Sequence, residues 1–600
     1  MARRMLLSLA IGCALSATIN AAPFDADASG FSALPWLAFA ANYDPWSAGI
    51  PRRRPGHPAP IKPDFPDRNE GAIEPAPADA VGEFVPVPDR WRIMETLGYK
   101  YPWYNPYNQN VFKGDKPIHG EDWFLSLLGI SDTVIEPRSI PAPTGITSSQ
   151  NPNQNDIFSG IDQTIFAQTF LAGLIYTKGD TTFRPPDHEY RLTLAFNYNR
   201  VDVDDVRILQ VDPRLGNARD DSFVAVQELF YDRHLRNVSD RYDFDAIRIG
   251  IQPFSSDFRG FLFQDLQLGV RLFGNRDNNR WQYNLAWFRR LEKDTNSGLN
   301  DIGAGLRNDD VLIANVYRQD WPHVGFTSQA TIVHNRNRDT DVFFDENGFI
   351  ARPASIGTES PREYDVTYLG YNGDGHFGRL ALTASAYVAL GQNDGLFTGE
   401  DSDIEAGFFA AEGAYDFDWI RTRLSVAYAS GDKNPFDNKS QGYDAIFENP
   451  IFAGADTSYW IRQNIPLIGG GGVALSGRNS LLPSLRSSRE LGQSNFDNPG
   501  LRLIGIGADF DLTPESRVSG NINELWFDQT EVLEVARNQG HIANRIGTDV
   551  SVAWIWRPFA TQNAVLRLSG AVLLPGEGMK NLYGDKDNYY TVLGNFIFTY

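Results

Sequence analysis

The 600-residue sequence has almost no cysteine, since Cys13 is the only one. Disulfides within the chain and thiolate metal sites are therefore excluded. Methionine is nearly as rare, with 4 residues, and beyond the N-terminus no apolar run reaches the roughly 18 residues of a membrane-spanning helix. These absences exclude a helical membrane protein. They leave a membrane β-barrel open, because only alternate residues of its strands face lipid.

Positive charge is also in short supply, with 54 basic residues against 75 acidic ones and a formal net charge of −21. Such an acidic chain repels phosphate backbones, so we expect no nucleic-acid partner. Aromatic residues are abundant at 13%, and there are 54 glycines. This composition favours many strands and turns over packed helices.

The N-terminus has the pattern of an export signal. Arg3 and Arg4 precede the apolar stretch Met5–Leu15, which is too short to span a bilayer and is followed by alanine-rich sequence. We predict a signal peptide over residues 1–21, cleaved near Ala21. Residues 22–118 form a proline-rich extension. Its ten prolines in 51–90 predict an extended periplasmic linker, and the aromatic part that follows is predicted to cap the barrel mouth or to enter it as a small plug.

From about residue 119 the chain alternates with a period of two. In Tyr190–Asn199 the residues Tyr190, Leu192, Leu194, Phe196 and Tyr198 share one face, with aromatic residues at both ends of the apolar row. One apolar face bounded by aromatic girdles is typical of a transmembrane strand. Eighteen such segments predict an all-β fold, a transmembrane antiparallel barrel over residues 119–600, with strands near 121–134, 162–177, 188–202, 222–232, 243–252, 263–273, 280–291, 310–320, 323–334, 362–372, 377–390, 404–415, 418–430, 501–511, 516–528, 545–557, 563–574 and 588–600.

The connections support this fold because short and long ones alternate. Short turns are predicted at 320–322, 372–376, 416–418, 512–515 and 558–562, and long acidic loops at 292–309, 335–361, 391–403, 431–499 and 529–544. Tight periplasmic turns and long external loops produce this rhythm in outer-membrane barrels. The predicted location is therefore the outer membrane of a Gram-negative bacterium, with lipid and lipopolysaccharide as surroundings.

The final segment, Tyr590–Tyr600, alternates down to a terminal aromatic residue. It resembles the C-terminal signature of bacterial outer-membrane barrels, in which the last strand pairs with the first. The resemblance implies that the barrel-assembly machinery is a partner of the chain and recognises this strand.

A second resemblance concerns the longest loop, with Ala427-Tyr-Ala-Ser-Gly-Asp-Lys-Asn-Pro435, Phe447-Glu-Asn-Pro-Ile-Phe-Ala-Gly454 and Gly477-Arg-Asn-Ser-Leu-Leu-Pro483. Over residues 420–530 the chain resembles the alginate-export-like family of outer-membrane porins. The resemblance implies an eighteen-stranded channel. Alginate as the solute does not follow, since no basic cluster aligns with the residues that guide the polyanion in that family.

Side chains opposite the apolar faces must point into the lumen. This places seven candidate pore-lining residues there: Arg191, Arg248, Arg271, Arg421, Arg423, Arg567 and Glu228. Glu412 and Asp549 are predicted to face inward as well. Two interpretations remain open. The charges either solvate and cross-link the wall of a polar lumen, or the arginines line a constriction that favours anions.

We predict neither a metal site nor a cofactor. Asp339-Thr-Asp341 followed by Asp345-Glu-Asn-Gly348 resembles a calcium loop, but the spacing departs from that of an EF-hand. The scattered histidines form no catalytic spacing, so we predict no enzyme. The predicted function is a porin for diffusion or export of polar solutes, with an anionic saccharide or a small organic acid as cargo. A ligand-gated outer-membrane receptor and an enzyme on a barrel scaffold remain the alternatives.

Overall fold

A computed structural model describes the chain from residue 90 onward, with gaps. The described residues are 90–106, 110–140, 162–179, 185–204, 208–241, 243–352, 362–394, 400–454, 457–462, 465–466, 472–473, 492–558 and 561–600. The predicted signal peptide and most of the proline-rich extension lie outside them. Within these ranges, every helix is too short or too polar to cross a membrane.

The described chain forms one closed antiparallel barrel. Its main sheet has 19 strands, one of which is the two-residue strand Lys439–Ser440; the other eighteen form the barrel wall. They are β1 Trp123–Ser139, β2 Asp162–Lys178, β3 His188–Val203, β4 Ala218–Asn237, β5 Phe244–Ser255, β6 Gln264–Arg276, β7 Trp281–Lys293, β8 Asn300–Arg318, β9 Phe326–Asn337, β10 Tyr364–Phe377, β11 Leu380–Asp394, β12 Asp401–Phe417, β13 Ile420–Ala429, β14 Leu501–Asp511, β15 Ser516–Trp526, β16 Arg545–Trp556, β17 Ala564–Pro575 and β18 Tyr589–Thr599.

Each strand pairs with its sequence neighbours, and β1 closes the barrel against β18 with Ile130 opposite Thr599 and Arg138 opposite Thr591. The predicted number of strands, their antiparallel arrangement and the closure are therefore confirmed. Between Ile130 and Arg138 the first and last strands pair with each other, so neither leaves a free edge there.

The outward faces carry the apolar residues that the alternation predicted. Leu194, Phe196, Val550 and Val552 are exposed on the barrel exterior, whereas the alternate side chains are buried inside. In a closed barrel the backbone polar groups hydrogen-bond between neighbouring strands, and the apolar outer surface contacts lipid. The chain is a transmembrane β-barrel of the bacterial outer membrane.

The short connections lie at one end of the barrel, together with Tyr600. Because short turns face the periplasm in outer-membrane barrels, we assign this end to the periplasm. One predicted turn is wrong: residues 372–376 belong to β10, and the turn is at Gly378 and Arg379. The strand continues because Asn372 is held in the lumen, where its side-chain amide donates to Gln329 at 3.0 Å and to Tyr387 at 3.0 Å.

The predicted external loops 292–309 and 391–403 are also too long. Strands β7 and β8 pair as far as Lys293 and Asn300, and β11 and β12 pair as far as Asp394 and Asp401. These polar residues extend the hairpins beyond the apolar belt, where a ladder needs no lipid-facing side chains. Polar composition alone does not end a strand, and several of these residues, among them Lys293 and Asn300, are buried rather than exposed to water.

The largest hydrophobic cluster lies inside the barrel. It includes Phe254, Phe288, Tyr387, Phe408 and Trp460, all of them buried. Two segments between strands supply much of it: residues 256–263, and a second segment with residues 443–454 and 457–460. We call them the inner hairpin tip and the inner loop segment. Part of the lumen is therefore packed like the core of a soluble domain.

Four helices and two short strand pairs complete the described structure. They are α1 Arg90–Thr96, α2 Tyr459–Arg462, α3 Glu531–Arg537 and α4 Glu577–Tyr583, and the pairs Phe343–Phe344 with Ile350–Arg352 and Ile465–Pro466 with Gly472–Val473. A 3-10 helix spans Pro213–Leu215.

The segment after α1 packs at the periplasmic end of the closure. The Phe112 carbonyl accepts the Leu127 N–H at 2.8 Å, and the Lys113 ammonium lies 4.1 Å from the centre of the Tyr600 ring. β1 begins at Trp123, whereas its pairing with β18 begins at Ile130. The segment after α1 therefore covers the N-terminal backbone of β1, which has no partner in β18.

Candidate functional site

The lumen is narrowed where the hairpin of β5 and β6 bends inward. Pairing between β4 and β5 stops at Leu229 and Ile251, although β5 continues to Ser255. Beyond that point β8 reaches toward β4: the Asn300 amide donates to the carbonyl of Leu266 at 3.1 Å and to that of Val226 at 3.4 Å. The wall thus closes beside the hairpin, and the inner hairpin tip projects into the lumen.

Asp257 holds the inner hairpin tip in its conformation. Its carboxylate accepts the backbone N–H groups of four successive residues, Arg259, Gly260, Phe261 and Leu262, at 2.5 to 3.1 Å. It also accepts the Tyr387 hydroxyl of β11 at 2.9 Å. A buried carboxylate with this many donors is satisfied without a cation, so Asp257 acts as the organiser of the turn.

Arg259 anchors the tip to strands β11 and β12. Its guanidinium donates to Thr383 on β11 at 3.2 Å and to Glu412 on β12 at 3.3 Å. Glu412, which the sequence predicted to face inward, also accepts the Ser425 hydroxyl at 2.7 Å. The hairpin therefore extends through the lumen from its own wall to β11 and β12.

The inner loop segment extends this crossing. The Leu262 carbonyl accepts the N–H groups of Ile446 and Phe447 at 3.1 and 3.0 Å. At its other end the segment reaches β16, where Asp549 accepts the N–H groups of Tyr459 and Trp460 at 3.1 and 3.0 Å. Asp549 faces inward as predicted, and it holds the start of α2.

The predicted pore-lining residues near the tip form two clusters. In the first, the Arg191 guanidinium lies 2.6 Å from Glu189 and 3.6 Å from Glu228, and Glu228 also accepts the Thr193 hydroxyl at 2.7 Å. Arg191 and Glu228 therefore both face the lumen and partly neutralise each other.

In the second cluster, Arg248 and Arg271 are cross-strand neighbours on β5 and β6. Arg248 pairs with Asp232 at 2.8 Å. Arg271 donates to the Asn284 amide oxygen at 2.7 Å, and in the described part of the chain no carboxylate lies within salt-bridge distance of it.

The two clusters are joined by a row of stacked side chains. Three arginines alternate with three phenylalanine rings at 4.3 to 5.6 Å between guanidinium and ring centre, in the order Arg191, Phe230, Arg248, Phe273, Arg271, Phe254. We call this row the arginine–phenylalanine ladder.

The remaining predicted residues lie away from the ladder. Arg421 is buried and pairs with Asp416 at 2.7 and 2.9 Å, and Arg423 pairs with Asp509 and donates to Asn521 at 2.9 Å. Arg567 is buried opposite Asn595 of β18. All seven predicted residues thus point inward, but the fold does not bring them into one ring.

Sequence reasoning missed Asp257, Arg259 and Tyr387, which build the constriction. A signal was available in the connection Phe258-Arg-Gly-Phe-Leu-Phe263. An apolar, aromatic run in a barrel connection has no reason to face water. Such a run predicts a loop that folds into the lumen.

No protein-family model and no curated protein match the chain. The resemblance of residues 420–530 to alginate-export-like porins therefore has no family match behind it. Among solved structures, the chain is similar to Pseudomonas aeruginosa OccK9 (OpdG), with 12% identity, a TM-score of 0.43 and coverage of 80% of this chain and 98% of that one. It is also similar to Pseudomonas aeruginosa OprD, with 12% identity, a TM-score of 0.40 and coverage of 79% of this chain and 95% of that one. A BenF-like porin from Pseudomonas fluorescens Pf-5 has 9% identity, a TM-score of 0.41 and coverage of 80% of this chain and 98% of its own. At these identities, the likeness carries no information about a solute.

Proposed function

We propose that this barrel is a narrow, solute-selective porin of the outer membrane. The support is its architecture: a closed eighteen-stranded wall is wide enough for an aqueous passage, and two inward-folded segments reduce that passage to a constriction. A structural barrel without transport has no need of a turn that extends through the lumen and is anchored to β11 and β12.

The observation that carries the proposal for the solute is the arginine–phenylalanine ladder. The charges of Arg421 and Arg423 are balanced by Asp416 and Asp509, so these two residues contribute little to selectivity. In the described part of the chain, the hydrogen-bond partner of Arg271 is the neutral Asn284. A planar guanidinium fork presented on a wall of aromatic rings suits carboxylates. The proposed cargo is accordingly a small organic acid or an anionic saccharide.

Reversal potential across a salt gradient in a planar bilayer tests the proposal. The wild type should prefer anions, and Arg271→Gln should shift the reversal potential toward cations. The matched control replaces Arg421 with Gln and Asp416 with Asn together, which removes a balanced pair and should leave selectivity unchanged. A barrel without conductance would overturn the channel function. Cation selectivity of the wild type that survives high salt, at which external charges are screened, would overturn the choice of solute.

A further inference from the structure

Three external elements bring carboxylates together on the outer side of the constriction. Asp221 comes from the external half of β4, Asp294 follows β7, and Glu346 lies in the connection between β9 and β10. One carboxylate oxygen from each lies within 4.8 Å of one from each of the others. We call Asp221, Asp294 and Glu346 the external carboxylate cluster.

The cluster contains buried oxygen atoms without a hydrogen-bond partner among the described residues. Asp294 is only 2% exposed, and its Oδ2 accepts the Ser297 N–H at 2.7 Å. Its Oδ1 is buried and has no hydrogen-bond partner in the part of the chain that the structure describes, and the same holds for Asp221 Oδ2. A buried carboxylate oxygen without a donor is destabilising, and a bound cation would satisfy it.

Among the described residues, negative charge outweighs positive charge around the cluster. Asp345 lies beside Glu346 and also has a buried oxygen, Oδ2, without a partner among the described residues. The basic group that acts on all four carboxylates is Arg219, and it makes no ion pair within the described ranges. Burial raises the pKa of Asp294, and burial together with the charges of Asp294 and Asp221 raises the pKa of Glu346.

We propose that the external carboxylate cluster is a calcium site that fastens three external loops together. Oxygen ligands at this spacing suit a hard divalent cation, and calcium tolerates ligands drawn from separate loops and several waters. The sequence analysis predicted no metal here because the residues 339–348 alone lack the spacing of a calcium loop. The fold supplies the missing ligands from β4 and from the residue after β7.

The surrounding contacts show what the ion would hold in place. The Glu346 N–H donates to the Thr295 hydroxyl at 3.3 Å, the Asn347 amide to Asn296 at 2.9 Å, and the Val211 N–H to the Asn347 carbonyl at 3.0 Å. These neutral bonds align the three connections, and the carboxylates repel one another across them. Calcium would convert that repulsion into a cross-link above the hairpin of β5 and β6.

Calorimetric titration of CaCl₂ into the purified, chelator-treated full chain in lipopolysaccharide-free detergent tests the site. We expect one saturable site with a Kd on the order of 10⁻⁴–10⁻³ M, as in extracellular modules. Asp294→Asn, which keeps the size of the side chain, should weaken binding about tenfold or more. The matched control is Asp585→Asn, because Asp585 is an exposed carboxylate of another external loop, paired with Lys580. This control should bind as the wild type does.

A second variant guards against a folding defect. Glu346 is exposed, so Glu346→Gln should keep the heat-modifiable gel mobility of the barrel and still weaken binding. In the wild type, calcium should also slow proteolysis within residues 338–352, and it should not do so in either variant. Absence of saturable binding, binding that requires added lipopolysaccharide, or equal affinity in wild type and both variants would overturn the proposal.

Discussion

At the scale of single residues, the external loop after β13 contains an unusual carboxyl group. Asp432 is 1% exposed, its Oδ2 has no hydrogen-bond partner among the described residues, and Asp497 lies nearby. Burial, and secondarily the charge of Asp497, raises the pKa of Asp432 to about 7. The folded loop therefore holds a proton that the unfolded loop has already lost above about pH 4.

This linkage predicts a pH dependence of loop stability. Between about pH 4 and pH 7 the folded state binds the extra proton, so stability falls as the pH rises through that window and then levels off. Asp432→Asn should remove this part of the slope and raise the unfolding temperature relative to wild type at pH 7.5 more than at pH 4.5. Thermal unfolding at both values measures it. The exposed Asp341→Asn in another external loop is the control, and an equal shift at both pH values in Asp432→Asn would contradict the prediction.

The lipid-facing side of β3 gives a second prediction for a single residue. Leu194 lies near the middle of the strand and is 40% exposed on the apolar exterior. Leu194→Arg should cost about 2–4 kcal/mol, because a charge at mid-membrane must be drawn from water. Ser222→Arg is the control, since Ser222 faces outward at the external end of β4. Denaturant refolding in lipid vesicles measures both, and equal costs would show that residue 194 does not lie at mid-membrane.

At the scale of elements, the inner hairpin tip depends on Gly260. Its φ is +76°, and a Cβ there would lie 1.9 Å from the Gln264 amide oxygen and 2.9 Å from the Asn449 carbonyl. A side chain at this position would separate the tip from the inner loop segment. The constriction therefore rests on one backbone position that accepts only glycine.

Gly260→Ala should accordingly widen the channel. We expect higher and noisier single-channel conductance, with the barrel itself still heat-modifiable on a gel. Gly378→Ala is the matched control: its φ is also positive, at +62°, but an added Cβ would have nothing within 4 Å. It should carry the same local strain without a change in conductance. Unchanged conductance in Gly260→Ala would show that the hairpin does not limit the passage.

At the scale of the whole molecule, closure depends on the last residues. The Tyr600 N–H donates to the Gly129 carbonyl at 2.8 Å, and the Gly129 N–H donates to the Tyr600 carbonyl at 3.2 Å. The Tyr600 hydroxyl accepts the Asn110 amide at 3.0 Å, so the periplasmic segment after α1 meets the same point.

Deleting Phe598–Tyr600 should remove this end of the closure and the strand signal for assembly. We expect unfolded, degraded protein in the periplasm and loss of the heat-modifiable band. Tyr600→Phe keeps the backbone pairing and the aromatic end and loses only the hydroxyl contacts, so it should assemble normally. Normal membrane levels of the truncated chain would place the assembly signal elsewhere.

The sequence by itself determined the barrel. Period-two alternation is a local property, because lipid on one side and the lumen on the other select each side chain independently. It therefore located all eighteen strands and the inward direction of residues such as Arg191 and Arg421. Turn positions were less secure: Asn372 sits in a polar, glycine-rich stretch, yet it pairs with Gln329 of β9 and Ser385 of β11 and so belongs to β10.

Only the tertiary structure decided what the inward residues do. Arg421 with Asp416, and Arg259 with Glu412 some 150 residues apart in sequence, show that pairing depends on how the wall curves and where the hairpin bends. The external carboxylate cluster shows the same for the loops. Charge balance is a sum over neighbours in space, and one-dimensional alternation gives the face of each residue without giving its neighbours.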